Sequence, residues 1–110
     1  MFKAIILLTR AEGSSREEFR SWWLERHAPL ARRLPGLRRL VFNVVENEDA
    51  SCDGVSELWF DSREAFEAAY ASEIGQEVAA DSLANVSGRV RLFVEERPQL
   101  EPGEPPGMPR

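Results

Sequence analysis

The sequence predicts an α+β domain in which four short strands form one antiparallel sheet and helices cover one of its faces. Three observations carry the prediction. Apolar runs of strand length sit near both ends of residues 1–96. Two further runs in the middle are joined by a small, acidic connection. Segments of helical periodicity lie between these pairs, each opened by a capping serine or aspartate. At 110 residues the chain supports one core, and 43% hydrophobic residues with six Phe and three Trp suffice to fill it.

In chain order, Phe2–Thr9 is a continuous apolar run whose length and branched residues suit a strand covered on both faces. Ser14 with Glu17, or Ser15 with Glu18, forms a capping box before a helix running to about Leu34, and Pro35-Gly36 ends it. Pro29 lies inside that helix, removes a backbone donor and crowds the carbonyl four residues back, which predicts a kink near Ala28. Leu37–Glu46 and Val55–Phe60 read as a second and third strand, with Asn47–Gly54 as their hairpin connection. Asp61 and Glu64 make a further capping box for a helix to Ser72, and a second helical piece covers Ile74–Leu83. Gly88–Glu96 alternates as a last strand before Pro98. The domain is therefore 1–96. Residues 97–110, with Pro98, Pro102, Pro105, Pro106 and Pro109, form a tail that is either disordered or an arm lying on a partner.

Composition excludes several classes. The net charge is −5, and the fourteen Lys and Arg are interleaved with nineteen acids, so no stripe exists to track a nucleic acid. The apolar stretch Ala4–Leu8 is too short for a membrane span or a secretory signal, and a lone Cys52 forms no intrachain disulfide, which together predict a cytoplasmic protein. The sequence has no Cys/His cluster of metal-binding spacing, no phosphate-cradling glycine loop and no serine nucleophile elbow, so metal, nucleotide and acyl-enzyme chemistry all lose ground.

The order strand–helix–strand–strand–helix–strand predicts a ferredoxin-like βαββαβ sheet with one face open. In the first strand both Phe2, Ala4, Ile6, Leu8 and the alternate set Lys3, Ile5, Leu7, Thr9 are too apolar for water. A second copy packed sheet to sheet covers the open face most simply, giving a homodimeric α+β barrel. Leu58 and Phe60 then pack beneath the helices while Glu57 and Trp59 face the dimer cavity. Asn43 and Glu57 stand out as polar residues within apolar strands.

The segments FRSWWLERHAPLARRLPGLRRLVFN and DGVSELWFDSREAFEAAYAS resemble the two signature regions of EthD-domain proteins, through Trp23 with His27-Ala28-Pro29 and the run Glu57–Phe60 after Asp53-Gly54. The resemblance spans most of residues 1–96. It implies a dimeric α+β barrel, a cavity between sheet and helices, and no required metal or organic cofactor. It does not imply one reaction, since relatives include an isomerase of muconolactone, polyketide-tailoring cyclases and decarboxylases, and a protein associated with ether degradation. The family often carries a second histidine where this chain has Arg26.

His27, the only histidine, is the expected acid–base group, although the helical wheel puts it at the edge of the apolar face with Arg26 nearer the middle. Glu57 is expected as the partner base or, protonated, as the group that holds the substrate's carbonyl, if burial raises its pKa, and the plainer alternative is an ion pair with Arg26, Arg91 or Lys3. Trp23, Asn43 and Trp59 are the expected substrate-binding residues: the tryptophans as pocket wall, Asn43 as a ligand contact or a backbone partner. The expected activity is cofactor-free isomerisation, cyclisation or decarboxylation of a small hydrophobic oxygenated molecule. The alternatives are a binding module for such a molecule or for haem, with His27 as axial ligand, or an accessory protein whose partner carries the chemistry.

Overall fold

The computed structural model describes residues 1–107; residues 108–110, including Pro109 of the predicted tail, lie outside the described residues. Strands β1 (Phe2–Arg10), β2 (Arg39–Val44), β3 (Gly54–Phe60) and β4 (Val86–Val94) form one sheet in the order β2-β3-β1-β4, with all neighbouring pairs antiparallel. Helix α1 (Arg16–Ser21), a π-helix (Trp22–His27) and α2 (Ala28–Ala31) connect β1 to β2, and α3 (Arg63–Ala71) and α4 (Glu73–Asn85) connect β3 to β4. This is the predicted βαββαβ arrangement. Residues 95–107 contain no helix or strand, and no described helix is long and apolar enough to cross a membrane.

Alternation sorts the strand residues. Ala4, Ile6 and Leu8 of β1 and Leu58 and Phe60 of β3 are at most 5% exposed and, with Phe19, Trp23, Phe66 and Val78, make the core between sheet and helices. Residues paired across antiparallel strands share a face, so the register Ile5↔Glu57, Val41↔Glu57 and Ile5↔Leu92 groups the opposite set: Ile5, Leu7, Val41, Val55, Val90 and Leu92, with Lys3, Asn43, Glu57 and Trp59 among them. Val90 and Leu92 are 54% and 45% exposed in the single chain, so the open apolar face expected from β1 is present.

One open alternative is resolved, and local signals differ from expectation at two places. The Ser15/Glu18 box is the one that forms: Ser15 Oγ accepts from Glu18 N–H while the Glu18 carboxylate accepts from Ser15 N–H. Asp61 does not cap α3. Ser62 takes that place by accepting from Ala65 N–H, and Asp61 instead pairs with Arg38. Around Pro29 the helix widens where a kink was expected. Ala28 N–H bonds back to the Trp23 carbonyl, five residues earlier, and the π-winding over Trp22–His27 makes room ahead of a residue with no N–H to close an α-turn.

Gly54 opens β3 directly beneath the Trp23 ring, where a Cβ would stand 2.7 Å from ring carbons. Only glycine lets the strand pass that close.

Candidate functional site

The π-winding positions the site. An α-helix turns residues five apart to different sides, whereas i→i+5 winding returns them to nearly the same side. Trp22 and His27 therefore both reach one carboxylate on α4: Asp81 Oδ2 accepts from Trp22 Nε1 at 3.2 Å and lies 2.8 Å from His27 Nδ1. The same shift buries His27, at 5% exposure, and leaves Arg26 exposed, reversing the order the α-helical wheel predicts. Asn85 donates to the Asp81 backbone carbonyl at 2.8 Å, which ties the site to the end of α4.

A carboxylate accepts, so Nδ1 carries the imidazole proton and Nε2 is the free base, 3.3 Å from Ser82 Oγ. His27 is clamped between the rings of Trp22 and Phe42, at centroid separations of 4.9 and 6.2 Å. Burial pushes its pKa below the ordinary value, Asp81 pulls the other way, and the charge of Arg89 adds to the lowering. Because the unfolded chain binds this proton more readily, His27 contributes stability that is fully present above its unfolded pKa of about 6.5 and is lost as pH falls through the lower folded value. Urea unfolding at pH 7.5 and 5.5 checks this: the native protein is expected to lose stability on acidification by more than His27→Gln does.

His27 and Ser82 face a small cavity between sheet and helices, also lined by Ser56, Tyr70, Phe42 and Leu8 among others. Its volume is about 20 Å³, room for one water molecule. A wider groove of about 410 Å³ lies outside, between Leu24, Ala28 and Arg32 of the helical segment and residues 37–40 and 42 at the edge strand. Leu40 and Phe42 line both and so stand between the groove and the His27 cavity. A haem iron would need His27 Nε2, which Ser82 Oγ approaches at 3.3 Å, at a cavity with room for one water molecule.

The other expected site residues lie elsewhere. Trp23 is fully buried, stacked on Phe42 at 4.2 Å, and does not line the cavity. Glu57 projects from the opposite face of the sheet, so the structure does not bring it to His27. The rise in its pKa on which the pairing depended is absent: the Lys3 ammonium at 2.8 Å and then the Asn43 amide at 2.9 Å hold it below the usual carboxylate range. Asn43 also donates to the Val55 carbonyl, and Trp59 donates to Glu96 while Lys3 and Arg39 stack over its ring. These are one polar cluster on the open face. Among the described residues no group of His, Cys, Asp and Glu is arranged to hold a metal.

The partners of His27 had only partial signals. Ser82 is a polar residue on the buried stripe Gly75–Val78–Ser82 of α4, a period visible in the sequence. Asp81 is 54 residues from His27 and carries no local mark.

The model of the EthD domain matches residues 11–87, which contain Trp22, His27, Tyr70, Asp81 and Ser82. The chain belongs to the EthD domain family. Among similar solved structures is an EthD family protein of Bacillus halodurans, 21% identical, covering 88% of this chain and 100% of its own at a TM-score of 0.77. Another is SnoaB, a cofactor-independent oxygenase of Streptomyces nogalater, 20% identical, covering 90% and 95% at a TM-score of 0.67. A third is a dimeric protein of ferredoxin-like fold from Bacteroides fragilis, 11% identical, covering 86% and 95% at a TM-score of 0.70. At these identities the structures share the fold of this EthD chain. No curated protein sequence matches it.

Proposed function

We propose that this EthD chain is a cofactor-free catalyst of proton transfer, an isomerase, cyclase or decarboxylase, acting on a small oxygenated molecule. The observation that carries the reading is the 2.8 Å contact of His27 Nδ1 with Asp81, which leaves Nε2 as a neutral base at a small buried cavity. Burial keeps the imidazole unprotonated near neutral pH, and Asp81 stabilises the imidazolium that forms when it takes a proton from carbon or oxygen. Ser82 completes an Asp–His–Ser chain, yet acyl transfer is the poorer reading. Ser82 sits inside α4, whose backbone N–H groups are committed to helix bonds and offer no oxyanion hole beside it. SnoaB works as an oxygenase without a cofactor, which supports a fold of this kind running its chemistry from side chains alone. The test is solvent deuterium exchange, followed by proton NMR, across a panel of aryl ketones, β-keto acids and butenolides. Exchange or turnover by the native protein that His27→Gln lacks supports the reading, and a panel on which the two behave alike sinks it.

Two copies packed open face to open face bury Ile5, Leu7, Val90 and Leu92 and set the Lys3–Glu57 cluster at the interface. The dimeric neighbours of ferredoxin-like fold support this assembly. Native mass spectrometry is expected to give a dimer, with Leu92→Arg shifting it to monomer. A monomeric native protein would overturn the arrangement.

A further inference from the structure

The register Leu8↔Arg89 puts Arg89 of β4 on the same side of the sheet as Leu8, which is 2% exposed and lines the His27 cavity. A guanidinium on the helix-covered side of a sheet is costly unless its donors are met. Arg89 is half-buried, and its Nε is shut off from solvent with no hydrogen-bond partner. No carboxylate among the described residues pairs with it, although eight ion pairs form elsewhere among them. Asp81, the acid of this site, is taken by His27 and Trp22.

Tyr70 is the neighbour of Arg89. It lines the cavity from the end of α3 and accepts a hydrogen bond from Arg89, whose Nε is left over; burial pushes its phenol up, and the charges of Arg89 and Arg91 and that hydrogen bond pull it back. Arg91, two residues along the same face of β4, lies over the rings of Phe66 and Phe93 and likewise has no carboxylate partner among the described residues. The chain as a whole carries −5, so two arginines without carboxylate partners on this side of β4, Arg89 near enough to His27 for its charge to act there and Arg91 exposed farther along, are a local feature against the global charge.

An orphaned buried donor on a fixed cation, beside a phenol that opens on the cavity, calls for an anionic oxygen. We propose that Arg89, with the Tyr70 hydroxyl beside it, binds a carboxylate of the substrate and so holds the ligand against His27. The guanidinium fork matches a carboxylate through two parallel N–H donors, a geometry neither a lysine nor a neutral amide reproduces. Arg91 draws the anion toward the site. The inference rests on the cavity being the substrate site, and it narrows the substrate to carboxylic acids whose reacting carbon or oxygen lies beside the acid group.

Calorimetric titration at pH 7.5 with benzoate and with its neutral isostere benzamide tests it. The native protein is expected to bind benzoate at least tenfold more tightly than benzamide. Arg89→Gln is expected to erase that preference and Arg89→Lys to recover only part of it, with circular dichroism verifying that both variants are folded. His27→Gln is expected to keep the preference, which separates this site from the proton-transfer chemistry. If His27→Gln leaves activity intact while benzoate selectivity still depends on Arg89, the proposed reaction falls and the carboxylate site stands. Equal affinity for the two probes in the native protein, binding of neither, or selectivity unchanged in folded Arg89→Gln would overturn the assignment.

Discussion

Replacing His27 by glutamine is expected to lower turnover by about a hundredfold to ten-thousandfold while leaving the protein folded, the usual cost of removing a positioned proton-transfer group. The imidazole has one nitrogen held by Asp81 at 2.8 Å and the other at the cavity, so the glutamine amide fills similar space but cannot accept and release a proton near neutral pH. Asp81→Asn is expected to fall by a comparable amount for a different reason. The amide can donate to Nδ1, favouring the tautomer whose Nε2 carries the proton, and it removes the charge that stabilises imidazolium. A pH–rate profile distinguishes the two roles: the native protein should lose kcat/KM for the proposed reaction on the acid side through the depressed His27 pKa, and that limb should be absent from whatever activity His27→Gln retains. Turnover of His27→Gln within about threefold of native would remove His27 from the chemistry, given the minimum of about a hundredfold for such groups.

The largest expected loss of stability is at Trp23. Its ring is fully buried, stacked on Phe42 with an interplanar angle of 5°, tilted against Phe19 at 5.3 Å, and seated on the strand at Gly54. Trp23→Ala leaves a void that the sheet cannot close, and the expected cost is about 3–5 kcal/mol in urea unfolding. That is a large part of the roughly 5–15 kcal/mol stabilising a typical domain. Trp23→Phe is the control. It keeps the stack and removes an indole N–H that is buried without a partner, so it should cost less than about 1.5 kcal/mol. An alanine variant that costs under about 1 kcal/mol would show that the site collapses around the missing ring. The functional consequence follows from Phe42, which Trp23 supports on one side and which walls both the cavity and the outer groove. Losing the stack frees Phe42, so the alanine variant should also admit small ligands faster.

Much of this architecture is legible in the residues. Leu58 and Phe60 beneath the helices, with Glu57 and Trp59 on the other face, follow from period two alone, because a strand offers only two sides. A capping serine at 14 or 15 is a local hydrogen-bond pattern legible in the residues, and the structure selects Ser15. The shift of the α3 cap from Asp61 to Ser62 could not, because Asp61 is drawn away by Arg38, a residue 23 positions distant. His27 was marked by its chemistry and by resemblance, whereas its burial depended on a winding that helical periodicity does not describe. Pro29 signalled a disturbance. Whether it became a kink or a π-turn was settled by what Trp22 and His27 could reach across the interface.

The sequence by itself determined the element order, the two faces of each strand and the family, since these rest on short-range period, capping and contiguous motifs. Only the tertiary structure decided which chemistry-bearing residues meet. It buried His27 on the helix-covered side, so that the sheet stands between it and Glu57, whose own side period two had already set. It joined His27 to Asp81, Ser82 and Tyr70, which lie on helices whose mutual position is set by packing over the same sheet. Contacts between residues more than fifty positions apart leave no mark in a single sequence, because side chains meet there through the geometry of the whole core rather than through any spacing along the chain.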